Sequence, residues 1–291
     1  MAEERPVDLD DASGRGDDAG SRDVPDRGVP DEDRAVGGLG VATRTVGVLD
    51  PEVDAHVHSG FSAGHDSIGA IVCAAQLAGL RQVTFGDQVD AQAAWLPAYR
   101  EAVLRAQRRT DLELRISAEV EVVRPDGWLA FPADLGGLDA VTVAVSRLPL
   151  GGRLVEAAEA RTMLAAGRLL PADVIEMVVS ATVLGVERAS RYAPTQLARP
   201  LGLLAELGVD EDEVPEPLLR ECVEGCRVTN TTVEVSEAWR RPSLRFARMC
   251  ATAGVTLAAA SDARYANEVG RWRYVHQLSL AVGGKSPQLS S

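Results

Sequence analysis

The sequence has almost no lysine: 29 of its 30 basic residues are arginines, and the single lysine, Lys285, lies in the C-terminal tail. Most chemistry that needs a lysine amine is therefore excluded. Histidine is scarce as well, with four residues in 291. Two of these four, His56 and His58, are only two positions apart, and any histidine-based site must be built around them.

The four cysteines do not form a metal-binding motif. Cys222 and Cys226 are separated by three residues, whereas a zinc knuckle has two residues between its cysteines. Cys73 and Cys250, like this pair, lie in apolar, helix-like sequence. We predict four buried free thiols in a protein of the reducing cytoplasm.

Long apolar segments are missing too. No run is long enough to cross a bilayer, and the first residues lack the basic start and apolar stretch of a secretory signal. We therefore expect a soluble, cytoplasmic protein with no membrane partner.

Acidic residues are concentrated at the beginning of the chain. The first 40 residues contain 12 acidic residues and 5 arginines, out of a formal net charge of −13 for the whole chain. This segment has almost no large apolar side chains, so burial cannot offset the entropy lost on ordering. We predict a disordered acidic arm over residues 1–47. The remaining chain holds 31 acidic and 25 basic residues, a balance that argues against nucleic-acid binding through a basic face.

From residue 48 onward, short apolar segments typical of strands alternate with longer segments of helical periodicity. This alternation predicts a parallel β/α barrel or a doubly wound sheet, in one domain over residues 48–283 with a tail over 284–291. The first predicted strand begins at Val53, and the others cover residues 82–87, 112–123, 139–145, 196–198, 231–236 and 255–260. The predicted helices cover residues 68–77, 91–109, 154–166, 171–191, 217–226 and 242–253.

In both folds, ligands bind at the carboxyl ends of the parallel strands. Residues two apart on a strand point the same way, so His56 and His58 present two imidazoles in one direction. Imidazole nitrogens suit Zn, Fe or Mn, although two solvated histidines at an ordinary strand end give the same pattern. The other polar residues at predicted strand ends are Asp87, Glu119, Glu121, Ser146, Arg147, Arg199, Glu234, Asp262 and Arg264.

These segments resemble the polymerase and histidinol phosphatase (PHP) family. Residues 54–59, Asp-Ala-His-Val-His-Ser, and the loop at 61–64 look like the family's opening Asp-x-His-x-His motif and its Ser-Asp-Gly loop. Similar segments follow in the family's order at residues 85–88, 118–121, 143–146, 197–200, 233–236 and 261–264. The resemblance implies a distorted (β/α)7 barrel, which in family members holds up to three metal ions.

By this resemblance one metal position is complete and two are dismantled. The residues that match the complete position are His56, His58, Glu119 and Asp262. Two imidazoles and two carboxylates suit a single divalent ion, Zn, Mn or Fe, and leave room for a water. Family histidines are replaced here by Gln88, Ser146, Arg199 and Arg264, and an aspartate of many members is replaced by Ala63. A guanidinium group cannot lose its proton to bind a cation.

The resemblance implies a metal-dependent phosphoesterase, in which a metal-activated water hydrolyses a small phosphate monoester. Arg199 and Arg264 would hold phosphate oxygens, and Asp87 is a further candidate catalytic residue. The alternative is an inactive PHP-fold protein that binds a metal or an anionic metabolite. In that case the two arginines form salt bridges to Glu119, Asp87 or Asp262.

Three other features have open interpretations. A barrel that opens with His-x-His is also typical of amidohydrolases, although Lys285 cannot supply the bridging carbamylated lysine that many of them use. His65 is either an additional ligand or a solvated loop residue. Glu234 is a candidate partner for a metal-binding residue.

Overall fold

The computed structural model describes residues 49–132 and 134–283 of the chain. The predicted acidic arm, residues 1–47, and the predicted tail, residues 284–291, lie outside these ranges. Among the helices that the structure describes, none has both the length and the apolar character needed to cross a membrane.

Parallel strands curve into a nearly closed barrel. The strands of the described residues are Val53–Val57 (β1), Gln82–Val89 (β2), Glu113–Glu121 (β3), Ala140–Ala144 (β4), Leu148–Leu150 (β5), Arg153–Val155 (β6), Thr195–Leu197 (β7), Thr232–Ser236 (β8) and Leu257–Ala260 (β9). Seven of them form one sheet in the order β1-β2-β3-β4-β7-β8-β9. The two edges meet where the Asp262 N–H donates to the His56 carbonyl oxygen at 2.9 Å. This arrangement confirms the distorted (β/α)7 barrel.

Helices follow most of the strands. Their bounds are Ile68–Leu77 (α1), Leu96–Gln107 (α2), Ala157–Ala165 (α3), Pro171–Ala189 (α4), Gly202–Glu206 (α5), Glu216–Val228 (α6), Leu244–Thr252 (α7) and Tyr274–Gly283 (α8). Helix α1 begins as predicted, because the Ser67 hydroxyl accepts a hydrogen bond from the Ala70 N–H at 3.3 Å. The short helix α5 was not predicted, and α2 begins five residues later than the periodicity suggested.

Side chains alternate across the barrel wall. Val143 and Val233 are buried in the apolar core beneath the helices. Thr142 and Glu234, their neighbours on the same strands, point the opposite way, into the barrel. Both are nevertheless almost fully buried, so the barrel interior carries polar side chains that must find partners there. Glu234 finds one in His56, at 2.8 Å.

The predicted helix over residues 154–166 begins too early. Strands β5 and β6 form an antiparallel hairpin in its place, and α3 begins only at Ala157. Gly151 and Gly152 make the turn with φ of 60° and 81°. Two adjacent glycines adopt the positive φ that both central positions of such a turn require. The chain therefore turns back at these two glycines, and the helix begins only after the hairpin.

Three of the four thiols are buried, as predicted. Cys222, Cys226 and Cys250 are buried and free. Burial raises the pKa of the Cys250 thiol, which keeps it protonated and unreactive near neutral pH. Cys73 is exposed, so the prediction of burial is wrong at that position.

Helix α4 packs close to the barrel because Gly185 has no side chain. A Cβ at that position would lie 2.8 Å from Cγ2 of Val122. We expect Gly185→Ala to lower the free energy of unfolding by about 1–3 kcal/mol, because the added methyl group overpacks the core. The matched control is Gly69→Ala in α1, where the nearest atom is 3.9 Å away and a gain of about 0.5 kcal/mol is expected. Urea unfolding compares the two variants, and equal stabilities would contradict this packing.

Candidate metal centre

His56 and His58 lie at the carboxyl end of β1, beside Glu119 of β3. Both imidazoles are buried, with exposed fractions of 0% and 1%. Their Nε2 atoms lie 3.3 Å and 3.9 Å, respectively, from Oε2 of Glu119. One ligand atom from each of the three residues lies within 4.8 Å of the other two. The reading of two solvated histidines at an ordinary strand end is therefore wrong.

Asp262, the fourth predicted ligand, joins this group through His58. Its Oδ1 lies 3.0 Å from Nε2 of His58. The backbone of Asp262 has a φ of 54°, a left-handed conformation that costs a non-glycine residue about 1–3 kcal/mol. Such strain persists where surrounding contacts over-determine it, most often at functional sites. The four predicted ligand residues thus meet at one rim, with Asp262 at the edge of the group.

Asp54 fixes the position of this edge, a role that the sequence alone did not reveal. Its carboxylate accepts hydrogen bonds from the backbone N–H groups of Ser261 at 2.9 Å and Gly270 at 3.2 Å. These contacts tie β1 to the loop that carries Asp262. Burial raises the pKa of Asp54 to about 6, although the hydrogen bonds from Ser261 oppose the shift.

The donor atoms fit one metal ion. Tetrahedral zinc with bonds of about 2.0–2.1 Å places neighbouring ligand atoms about 3.3 Å apart. The distances from Nε2 of His56 to Glu119, from Nε2 of His58 to Glu119 and from Nε2 of His58 to Asp262 are 3.3, 3.9 and 3.0 Å. Imidazole and carboxylate donors suit Zn, Mn or Fe. A single ion therefore matches both the spacing and the chemistry of His56, His58 and Glu119, with Asp262 next to His58. The role of all four residues as ligands stays a prediction.

Arg199 lies on the other side of the two carboxylates. Its Nη2 donates to Oε1 of Glu119 at 2.6 Å, and its Nη1 donates to Oε2 of Glu119 and to Oδ2 of Asp262, both at 3.1 Å. Nη2 also donates to the Ser146 hydroxyl at 3.0 Å. The guanidinium group is thus occupied by the protein, so this geometry gives no support to the predicted role of Arg199 as a phosphate clamp. Arg199 instead forms salt bridges to Glu119 and Asp262, as the alternative interpretation predicts.

These ion pairs shift the pKa of each partner. Burial alone would lower the pKa of Arg199, but the charges of Glu119 and Asp262 outweigh it and raise the pKa. Burial alone would raise the pKa of Glu119 and of Asp262, but the charge of Arg199 and the nearby imidazoles outweigh it and lower both. Both carboxylates are therefore ionised at neutral pH and available to a cation.

His56 is held from both sides. Its Nδ1 lies 2.8 Å from Oε1 of Glu234, and its Nε2 lies 3.0 Å from the carbonyl oxygen of Gly86. Both partners only accept hydrogen bonds, so both ring nitrogens carry protons in the absence of an ion. Burial opposes this charge, but Glu234, Asp262 and Glu119 raise the pKa of His56 to about 10. An ion at Nε2 must displace one of these protons.

Gly86 and Gln196 help to position the His56 side chain, and neither role was predicted from the sequence. A Cβ on Gly86 would lie 2.6 Å from Cδ2 of the His56 ring, so only glycine fits beside it. Gln196 donates to Glu234 and to the Ala55 carbonyl oxygen. The alternation of the short strand β7 was the one available signal for Gln196, since it turns this residue toward the barrel interior.

Asp87 anchors the loop that follows β1. Its carboxylate accepts hydrogen bonds from the Ser59 N–H at 2.9 Å, the Ser59 hydroxyl at 2.7 Å and the Ser62 hydroxyl at 2.6 Å. These contacts occupy both oxygens, so the geometry assigns Asp87 a structural role and gives no support to the predicted catalytic one. His65, in the same loop, stacks on Tyr265 with ring centroids 4.3 Å apart.

A cleft of about 630 Å³ opens beside Glu119. Glu119 and Arg199 lie at its base, and Arg264 is an exposed residue on its wall. Within residues 49–132 and 134–283, the Arg264 side chain forms no ion pair, so its guanidinium is free to meet an anion. The remaining lining includes Phe61, Trp95, Trp239, Gln88, Ser146, Arg147, Asp90, Glu121, Glu156 and Glu206. A groove of about 660 Å³ between α1 and α2 is slightly larger but holds none of the predicted ligands.

Comparison with known proteins supports the fold. No protein-family model matches the sequence, and no curated protein matches it. A histidinol phosphate phosphatase of Lactococcus lactis, solved with zinc, L-histidinol and phosphate, is similar in structure with a TM-score of 0.54 and 14% identity, over 79% of this chain and 92% of that chain. A proposed histidinol phosphatase of Listeria monocytogenes is similar with a TM-score of 0.56 and 13% identity, over 75% and 97%. At such low identity these structures establish a shared barrel fold and nothing about activity.

The raised pKa of His56 predicts a pH-dependent stability in the metal-free protein. A folded-state pKa of about 10, against about 6.5 in the unfolded chain, stabilises the fold fully below pH 6.5. This contribution is lost as the pH rises toward 10, at up to about 1.4 kcal/mol per pH unit. Urea unfolding in EDTA between pH 6 and 9.5 should therefore show a steeper decline for the wild type than for His56→Gln. Parallel declines would contradict the protonated state of His56.

Glu234→Gln should weaken zinc binding about 10- to 100-fold, because an amide oxygen still accepts from Nδ1 of His56 but no longer makes the ring more basic. Competition with a chromophoric chelator measures the zinc affinity. The matched control is Glu224→Gln, which removes an exposed charge paired with Arg227 and should leave the affinity unchanged. Equal affinities in both variants would show that Glu234 does not act on the metal centre.

Proposed function

We propose that this protein is a metal-dependent phosphoesterase of the PHP type that hydrolyses a small phosphate monoester. The observation that supports it most is the convergence of His56, His58 and Glu119, with Asp262 beside His58, next to a cleft that Glu119 lines. These residues would hold one divalent ion, Zn, Mn or Fe. When bound, such an ion polarises a phosphoryl oxygen and lowers the pKa of a coordinated water toward neutrality.

The charge balance of the centre favours an ion. Three buried carboxylates, Glu119, Glu234 and Asp262, face the single permanent positive charge of Arg199. Buried charges are costly unless they are compensated. One divalent ion would supply the missing positive charge. A divalent ion does so while both imidazoles are neutral, the state in which they are ligands.

The chain's own residues would bind and orient the substrate. Arg264, exposed on the cleft wall, presents a guanidinium fork that matches two phosphate oxygens. Arg147, whose side chain lies 3.7 Å from Glu156 and 4.0 Å from Glu121, is a second cation on the same cleft. Arg199 would act indirectly, by fixing the carboxylates of Glu119 and Asp262. The cleft volume of about 630 Å³ suits a small organic phosphate.

A second candidate function is supported by the contacts of Arg199. Its guanidinium already pairs with Glu119 and Asp262, as expected of a barrel whose catalytic metal has been lost. Such a protein would bind an anionic metabolite at Arg264 without turnover. The two candidates differ in metal content and in hydrolysis, both of which are measurable.

The test combines metal analysis with a panel of phosphate monoesters. The panel includes histidinol phosphate, since the Lactococcus structure holds L-histidinol and phosphate. We expect about one Zn, Mn or Fe per chain, lost together with hydrolysis in His58→Asn. Arg264→Met should lower kcat/KM by about 100-fold, because the phosphoryl charge loses a fixed donor.

The matched control is His276→Asn on α8, a histidine outside the cleft, which should retain metal and turnover. Metal-free protein that binds phosphate but hydrolyses no ester on the panel would contradict the phosphoesterase and favour the anion-binding candidate.

A further inference from the structure

Oxygen atoms surround the guanidinium group of Arg199, as they would surround a bound metal ion. The four N–H groups on its two terminal nitrogens meet two oxygens of Glu119, one oxygen of Asp262 and the hydroxyl of Ser146. Its Cζ lies 5.3 Å from the ring centroid of Trp239, a favourable distance for a cation over an aromatic face. With 8% of the residue exposed, the guanidinium is a buried cation whose terminal donors are used within the protein.

The backbone is shaped to hold this cation. Arg199 has a φ of 46°, and Asp262, one of its two partners, has a φ of 54°. Both are left-handed conformations that residues other than glycine rarely adopt. They follow β7 and β9, at the same rim of the barrel. Two strained residues that pair with each other indicate that the ion pair is a built part of the fold.

Arg199 and the candidate metal ion share one carboxylate. Oε2 of Glu119 faces the two imidazoles at 3.3 and 3.9 Å. The guanidinium contacts both oxygens of the same carboxylate, Oε1 at 2.6 Å and Oε2 at 3.1 Å. A divalent ion at the imidazoles and the guanidinium would therefore share the charge of Glu119, and the two cations would repel each other.

We propose that Arg199 is a resident cation that offsets part of the negative charge of Glu119 and Asp262 in the absence of a metal, so that the barrel folds without one and binds an ion only afterwards. Sites in which the metal supplies all of the positive charge are coupled to folding, and chelators unfold those proteins. Here the guanidinium makes folding independent of metal binding. Its positive charge also lowers the affinity of the site for a metal ion. The inference concerns charge balance and holds whether or not the centre hydrolyses phosphate esters.

The deciding variant is Arg199→Met, which keeps the length of the aliphatic stem and removes the charge. In EDTA its Tm should fall by about 10 °C relative to the wild type, because two buried carboxylates lose their partner. Its zinc affinity should rise about tenfold or more, because the competing positive charge is gone. A residue that only packs against the site would lower the affinity when removed, so an unchanged or weaker affinity would overturn the proposal.

Two further variants separate charge from packing. Arg199→Met combined with Glu119→Gln removes one charge of each sign, and at least half of the lost Tm in EDTA should return. If the single variant does not fold, the double variant decides: a folded double variant supports the proposal, and an unfolded one overturns it. The matched control is Arg220→Met, whose ion pair with Glu216 is exposed and whose loss should change the Tm by no more than about 2 °C.

The EDTA measurements need neither bound zinc nor enzymatic turnover. If the wild type binds no metal at all, the proposed function fails while the comparison of Tm values still tests the role of Arg199.

Discussion

The carboxylate of Glu119 is buried at the rim of the barrel, and its charge has to be balanced there. Two imidazoles approach one of its oxygens, and a guanidinium group donates hydrogen bonds to both. An unpaired charge in this position would cost several kcal/mol. The positions of His56, His58 and Arg199 around it follow from that requirement, and so does the strained backbone at Arg199 and Asp262.

The parallel barrel brings these residues together from distant parts of the chain. Strands β1, β3 and β9 each end at the same rim, and the loop after β9 is tied back to β1 through Asp54. The apolar half of each strand packs beneath the helices, while the polar half faces inward and is hydrogen-bonded. The centre thus rests on strands, which hold side chains more rigidly than loops do.

Much of this arrangement was predictable from local patterns. The spacing of His56 and His58 on a strand fixed their common direction, and the ends of parallel strands placed nine further polar residues at the same rim. Only the resemblance to the PHP family selected Glu119 and Asp262 among them. The conformation of Arg199 was not predictable, because a guanidinium at a strand end can face either the substrate or the protein. The contacts of Asp87 were not predictable for a similar reason, since its partners Ser59 and Ser62 are set by a loop. The hairpin at Gly151 and Gly152 was not predicted, because the helical periodicity of residues 154–166 hides the turn that the two glycines favour.

The account rests on one ion and one guanidinium sharing Glu119. Anomalous diffraction from zinc-soaked crystals, recorded above and below the zinc absorption edge, tests this most directly. The account predicts one anomalous peak per chain, within about 2.0–2.2 Å of Nε2 of His56, Nε2 of His58 and a Glu119 oxygen, with Arg199 still paired to that carboxylate. The absence of a peak at the imidazoles, or a peak at the place where the Arg199 guanidinium now lies, would contradict it.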